Sequence, residues 1–571
     1  MLATTIKREK KLMKKELSQE AIGLLKYLMK NKDTEDFSGC FGASTICHRK
    51  GRVKVSYIQP LLNELLRAKA ITLSKGFLRA PKYILKTDVS SKIIEEHEEE
   101  GTIYTEEYRE ALNDEIKNYK KFVITTVVMG KEVNKEFADS LRNYAKRNNA
   151  LLIALPCEDV VSRGKKAQKT LEISPELSDF RVVFKDTYIN RNLCLCAIKV
   201  SAKQINPLTG LDRLTVQRQA SIIVASPKVF LKYVPNMHYD IPPALMTTGA
   251  VTVNNYDTDR YMSKRTSTLA EGDHTYGAVI VEVENDSIFH FRHVQASPYN
   301  SITDMGVDYL PDGSANAMND TVMIMGDSHT GYHDRELHEA VMNAALKTGV
   351  DSVFLHDIFN ATSVTHHDKG KGITRARKAK ENKLNLELEL AALRNYLNII
   401  RLQGMDIFIV PSNHDTMLLR WLESGGYIDD PQNYELGVKL AAAAVKGYDP
   451  LQYAIEEEFG YKEEKVHWLK EDESCKVYDV ECSMHGSAGA NGSRGNLQIF
   501  ERGLGNCVTA HTHSAAIIRD AFCVGTVGVM DQGYNKGLSS WTRTCCLIYK
   551  NGTKQLINFI PDSKGLYKYT L

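Results

Sequence analysis

No stretch of this chain approaches the roughly 18 consecutive apolar residues that a helix needs to cross a bilayer. Its opening, KREKKLMKKELSQEA, lacks the apolar core and small-residue cleavage site of a secretory leader. Eleven cysteines occur without CxxC spacing, as in Cys194/Cys196 and Cys545/Cys546. That argues for reduced thiols in a cytoplasm and against a disulfide framework. A zinc site at Cys40, Cys47 and His48 would need a second paired set of ligands, and none is present. No internal repeat is visible. A large excess of one charge is also missing: 73 Lys and Arg stand against 71 Asp and Glu. The balance is uneven along the chain, however, with 19 Lys/Arg and 7 Asp/Glu in residues 1–86.

At 571 residues, 43% hydrophobic and 25% charged, the chain has the size and composition of a multidomain globular protein. Residues 17–31 carry Ile22, Leu25, Leu28 and Met29 at helical spacing. A second helix, capped by Ser56, places Ile58, Leu61, Leu62, Leu65 and Leu66 on one face. The stretch AITLSKGFLRAPKYILK then predicts two short strands around a Lys-Gly tip. Helices followed by a basic hairpin resemble a winged helix-turn-helix module that could meet nucleic-acid phosphates; a helical protein–protein adaptor is the alternative. The acidic run Glu95–Gly101 reads as a linker. Beyond it, FVITTVVM, a helix over Lys135–Asn148 and ALLIALP form a βαβ unit. SIIVAS adds a strand, and YGAVIVEVENDSIFHFRHV a hairpin turning at Asn285-Asp286, in which His290 and His293 are ordinary strand residues. The expected division is a basic module and linker over 1–100, an α/β domain of open role over 101–318, and a catalytic α/β domain over 319–571.

The chemistry concentrates after residue 320, where one pattern recurs five times: an apolar run that ends in a side chain able to bind metal. TVMIMGDSH ends in Asp327 and His329; DSVFLHD ends in Asp357. MDIFIVPSNHD ends in Asn413, His414 and Asp415. KVYDVECSMHG ends in His485, and NCVTAHTH in His511 and His513, which as i and i+2 project to one side of an extended chain. The first three runs alternate with helical stretches (334–346 and 384–402), so their strands should be parallel and their ends should share one edge. Carboxylate, amide oxygen and imidazole without thiolate suit Mn²⁺, Fe or Zn²⁺. Seven such groups are too many for one tetrahedral site. They suit two ions roughly 3.5–4 Å apart that share a carboxylate, with a bridging hydroxide to attack a phosphate ester.

The series D-x-H, D, N-H-D, H-G, H-x-H resembles the calcineurin-like metallophosphoesterase superfamily over roughly residues 320–545. The resemblance implies a two-layered sheet core with flanking helices. It implies that Asp327, His329, Asp357 and His513 hold one ion, and that Asp357, Asn413, His485 and His511 hold the second. It also implies that His414 contacts substrate as the catalytic histidine, with Asp415 fixing its tautomer. The chain departs from the family pattern at His356 and Ser412, where glycine is usual. An Asp-Arg-Gly after the second motif, the mark of protein phosphatases, is absent. HDIFN is instead similar to the double-strand-break-repair nuclease branch, whose members imply two divalent ions, Mn²⁺ first and Mg²⁺, Fe²⁺ or Zn²⁺ next.

After Asp357 comes NATSVTHHDKGKGITRARKAKENK. His366, His367, Lys369, Lys371, Arg375 and Arg377 could track a phosphodiester backbone there without reading sequence; the alternative is a solvated loop. HGSAGANGSRGN offers glycines and Arg494 to an anion. A basic amino-terminal module and a basic segment beside the site suggest a polymeric substrate. The expected activity is two-metal hydrolysis of DNA, in a layout that resembles early host-DNA-degrading nucleases of tailed phages, acting in the host cytoplasm. The partner is DNA, with no membrane and no obligatory ATPase; a homo-oligomer is compatible. The alternative is a phosphatase or nucleotide phosphodiesterase acting on a small molecule or protein.

Overall fold

The computed structural model describes residues 19–33, 40–43, 46, 55–68, 70–73, 82–87, 89–90, 106–159, 173–237, 241–256, 261–533, 535–562 and 564–571. Contacts divide the chain into two units, residues 1–114 with 162–171, and residues 115–161 with 172–571.

In the first unit the helices Gln19–Lys30 and Val55–Arg67 accompany a three-stranded antiparallel sheet of Cys40–Gly42, Lys82–Leu85 and Ile71–Leu73. Leu24, Leu25 and Leu28 from the first helix and Ile58, Leu62 and Leu65 from the second fill one apolar core. The second helix begins at Val55, one residue before Ser56. The strand Cys40–Gly42 went unforeseen because three residues are too few to show alternation. The Lys-Gly tip, the acidic run, Cys47 and His48 lie outside the described residues.

In the second unit the strands Lys121–Val128 and Ala150–Cys157 run parallel through the helix Lys135–Asn148, as the βαβ pattern predicts. Asn134 caps that helix by accepting from the Phe137 amide, and Asn149 closes it in the left-handed region. The hairpin Gly277–Val283 and Phe289–Gln295 forms one edge of this sheet. His293 is buried there, with Nε2 donating to Thr247 O at 2.9 Å. His290 is equally buried, 3.4 Å from Glu284.

A six-stranded sheet carries the first metal-capable clusters. Thr321–Ile324, Val350–Leu355 and Asp406–Ile409 run parallel, with helices Arg335–Lys347 and Leu386–Arg401 as crossovers. Thr544–Ile548 adds antiparallel beside Thr321–Ile324. Each helix is capped by a side chain that accepts an amide of its first turn, Asp334 and Asn385 respectively. Leu337, Val341, Leu390, Leu393 and Leu397 bury their apolar stripes under the sheet.

The last clusters sit on a ten-stranded sheet. There Val480–Glu481, Cys507–Thr509 and Ala521–Cys523 run parallel. The same sheet continues through Ala516–Ile518 to Phe230–Tyr233, Ala244–Thr247 and Ser221–Val224. Strands from both sides of the boundary expected at residue 318 therefore share one hydrogen-bonded layer.

A buried ion network ties the carboxyl-terminal end to this unit. Arg292, 1% exposed, meets Asp304 through Nε at 2.7 Å and Nη2 at 3.0 Å, and Glu282 through Nη1 at 3.1 Å. Glu282 also accepts from Thr570 Oγ1 and the Leu571 amide. Arg292→Met should cost about 3–5 kcal/mol of stability, because buried Asp304 loses its counter-charge and Glu282 keeps only Lys121, at 2.8 Å; chemical denaturation measures it, and a loss below ~1 kcal/mol would show the network to be dispensable. A pH prediction follows from His274 and His293, both pushed down to about 4, chiefly by burial. The unfolded chain binds their protons below pH ~6.5 while the folded one does not, so stability should fall as pH drops from 6.5 towards 4. Proton uptake on unfolding at pH 5.5 tests this; an uptake of zero contradicts it.

Candidate metal centre

Each metal-capable side chain sits just past the carboxyl end of a parallel strand, where the backbone leaves the ladder. The pairing persists for a few residues: Ser328 N donates to His356 O, His329 N to Asp357 O, and Ala510 N to His485 O at 2.8 Å. These rungs extend each sheet's own ladder, while Asp327 N to Gly525 O at 3.1 Å and Val527 N to Asp327 O at 3.0 Å join the first cluster to the segment after Ala521–Cys523. Close packing fixes the turn into the first cluster. A Cβ on Gly326 would lie 2.8 Å from Thr526 Cα, so only glycine allows the Asp327 backbone to approach that strand.

Two overlapping donor groups result. Asp327, His329, Asp357 and His513 form one, and Asp357, His485 and His511 the other, with ligand atoms in each within 4.8 Å of one another. Asp357 is common to both. Nε2 of His329 and Nε2 of His513 are 3.0 Å apart, and His513 Nε2 is 3.0 Å from Asp327 Oδ2. His485 Nε2 lies 3.4 Å from Asp357 Oδ1 and donates to Asn413 Oδ1 at 3.0 Å, which brings the seventh expected group to the second cluster. All six Asp and His members except His511 are almost fully enclosed.

The electrostatics are those of two buried carboxylates with no lysine or arginine beside them. Burial opposes ionisation of Asp327 and Asp357, yet neighbouring histidines hold both below the usual carboxylate range. Burial also opposes charge on His485, but Asp357 prevails and raises it to about 9. Burial pushes His329 down to about 3. Both oxygens of Asp327, Oδ1 of Asp357 and Nδ1 of His485 are buried without a hydrogen-bond partner. Buried groups of this kind are normally satisfied, and an oxygen and imidazole donor set with no thiolate fits divalent cations. His329, Asp357, His511 and His513 all adopt left-handed φ, between 44° and 72°. Such backbone costs on the order of 1–3 kcal/mol each and collects at functional sites.

His414 lies against this cluster, its ring 4.7 Å from that of His329. The expected contact with Asp415 is not made. His414 Nδ1 instead faces Asn360 O at 3.1 Å, while Asp415 Oδ1 accepts from the Phe359 amide at 3.0 Å. The reason is geometric: residue 415 opens the helix Thr416–Glu423, and its side chain turns back to the loop after Asp357 rather than to its neighbour. Burial, then repulsion from Asp357, raises the Asp415 carboxyl to about 7.

Three contacts had no sequence signal. Trp541 packs edge-on against His513 at 4.2 Å between centroids. His356, fully buried, stacks on His485 at 5.6 Å with neither nitrogen hydrogen-bonded. Glu389 accepts from the amides of Thr362 and Ser363 and pins the loop after Asp357. His356 was visible only as a departure from the family's glycine.

The expected substrate contacts all reach the surface. His366 and His367 lie with their ring centroids 4.0 Å apart, tilted by 38°, and Lys369, Lys371, Arg375, Arg377 and Arg494 are exposed. Arg375 and Arg377 lie on the helix Gly372–Lys380. Lys378 of that helix is engaged with Asp368 at 2.6 Å and anchors it to the loop.

A metal titration checks the donor groups. Mn²⁺ at 100 times its Kd should stabilise the protein by about 2.7 kcal/mol, and Asp357→Ala should remove most of that gain because both groups lose a ligand. Equal stabilisation of the variant would place the ion elsewhere.

A scan against models of known protein families finds no match, and no solved structure matches the chain. The chain is similar to Protein A1 of Escherichia phage T5, at 28% identity over 468 residues that cover 78% of this chain and 83% of that one.

Proposed function

We propose that this chain is a metal-dependent nuclease that hydrolyses phosphodiester bonds in DNA. The observation that carries the reading is the pair of overlapping buried donor groups with Asp357 in common. Asp327, His329, Asp357 and His513 hold one divalent ion, and Asp357, Asn413, His485 and His511 a second, with Mn²⁺ the first choice and Mg²⁺, Fe²⁺ or Zn²⁺ the others. Such ions, when bound, acidify water and withdraw charge from a phosphoryl group under attack. His414 donates Nδ1–H to Asn360 O; when Nε2 also carries a proton, that nitrogen contacts the phosphate or protonates the leaving oxygen. Asp415 acts through the loop, by holding the Phe359 amide.

Four further features favour nucleic acid over a small ester. The donor groups adjoin a loop whose exposed His366, His367, Lys369 and Lys371 lead into a helix bearing Arg375, Arg377 and Lys380. Arg494 is exposed on the turn that follows His485. Residues 1–86 hold 19 basic and 7 acidic side chains, suited to gripping duplex phosphates as a winged-helix-like module. The similarity to a phage protein fits an early phage function in the host cytoplasm. In this reading the calcineurin-like catalytic residues lie within 319–571, the strands Ser221–Val224, Phe230–Tyr233 and Ala244–Thr247 complete their sheet, and no ATPase partner is required.

Incubation with linear and closed-circular duplex DNA in Mn²⁺, Mg²⁺ or chelator tests the proposal. Cutting should require metal and vanish in Asp357→Ala. Joint replacement of Arg375, Arg377 and Lys380 by Ala should weaken DNA binding and reduce the salt slope by roughly three contacts at ~0.9 each. Intact DNA alongside hydrolysis of p-nitrophenyl phosphate would replace the nuclease by a phosphatase and make the basic helix a solvated surface.

A further inference from the structure

The second unit contains a cavity of about 960 Å³, lined in part by Trp541. It lies at the top of the ~300–1,000 Å³ range of small-ligand sites. Its walls come from the Phe230–Tyr233 and Ala244–Thr247 strands, the Phe289–Gln295 hairpin strand and the segment 558–561. Three properties of those walls converge.

The first is aromatic surface: Tyr233, Phe289, Phe291 and Trp541 all line the space. The second is charge. Arg191, Arg218 and Arg543 line it, and among its described lining residues there is no Asp or Glu. Arg218 is paired outward with Asp186 at 2.7 Å, whereas Arg543 keeps a buried Nε with no hydrogen-bond partner. The third is an orphan donor. Asn558 is 7% exposed, and its Oδ1 accepts from the hydroxyls of Tyr233 and Thr544, both at 2.8 Å. Nδ2 of the same amide is buried without a hydrogen-bond partner, on a side chain that lines the cavity. Buried donors rarely stay unmet. Aromatic faces, two unmet donors and a positive, acid-free wall together describe a ligand with a flat ring, hydrogen-bond acceptors and negative charge.

We infer that this cavity is a nucleotide-binding pocket, with the base among the aromatic side chains and Asn558, and the phosphate at Arg543 and Arg191. The inference rests on the nuclease reading for its relevance to catalysis, and it deepens that reading. Trp541 belongs to both sites, since its ring lines the cavity and meets His513. A nucleotide stacked on Trp541 therefore sits one side chain away from a metal ligand. The occupant is a nucleotide unit, supplied either by the bound strand or as free mononucleotide released by cleavage.

Calorimetric titration of the full-length protein with dAMP, in chelator so that the donor groups hold no ion, tests this directly. dAMP should bind saturably. Deoxyribose 5-phosphate, which lacks the base, should bind at least about ten-fold more weakly, as should dAMP to Arg543→Gln, the loss expected for one charge-assisted hydrogen bond. Val216→Trp provides a second variant: Val216 lines the cavity but is 71% exposed, so a larger side chain fills the space without entering the core. It should abolish dAMP binding with an unchanged melting temperature. A single-stranded decanucleotide that competes with dAMP assigns the pocket to the bound strand; binding of dAMP without competition assigns it to free nucleotide. No saturable binding, or binding unaltered in Val216→Trp, overturns the pocket while metal-dependent cutting still stands. Bound dAMP with DNA left intact would do the reverse.

Discussion

Two carboxylates taken wholly out of water, with no lysine or arginine beside them, set the terms for the second unit. Asp327 and Asp357 are 0% and 1% exposed, and their ion-pair partners among the described residues are all histidines. Elsewhere in the same unit a buried pair of acids is neutralised in the ordinary way, by Arg292 held between Glu282 and Asp304. Here the charged His485 sets one positive charge against two carboxylates, and His329, held neutral, adds none. Carboxylates left to histidines in low dielectric are costly without further positive charge. That charge is what a divalent cation brings, and it explains why oxygens of both aspartates lack hydrogen-bond partners here.

Holding such a cluster requires a backbone that does not relax. Two sheets bring their strand ends together, and the rungs between residues 328 and 356 and between 329 and 357 continue the ladder into the loops. Four of the ligand-bearing residues are then locked in left-handed conformations that none of them prefers. The glycine at 326 allows the tight approach to Thr526, and Thr526 Oγ1 in turn donates to Asp327 O at 2.8 Å. The strain is tolerable because the apolar core beneath, built from Met323, Leu355, Leu390 and Ile407 among others, is closed and over-determined.

How much of this was legible follows from the range of each interaction. An apolar run that ends in Asp or His is a local pattern, so all seven metal-capable positions and the parallel order of their first three strands could be read directly. The partner of a side chain across the fold is not local. Nothing near residue 414 announces that Asn360 O holds its ring, and nothing near 513 announces Trp541. The ten-stranded sheet was hidden for the same reason. Phe230–Tyr233 pairs with Ala516–Ile518, and neither short strand carries a mark of the other, so the segments looked like parts of separate domains.

The loop between Asp357 and the basic helix connects these observations. Its start carries the shared metal-capable carboxylate. Its next residues are clamped from two sides, the Phe359 amide by Asp415 and the Thr362 and Ser363 amides by Glu389. Between the clamps lies Asn360, whose carbonyl orients His414. Its far end leads to Gly372–Lys380, tied back by Lys378 to Asp368 and to Thr362 O. One continuous segment thus sets the position of the carboxylate common to both donor groups, the contact of the histidine Nδ1 and the placement of the basic surface. An insertion within residues 358–371 would disturb all three together, which is a physical reason for the segment's dense anchoring despite its exposed and charged far end.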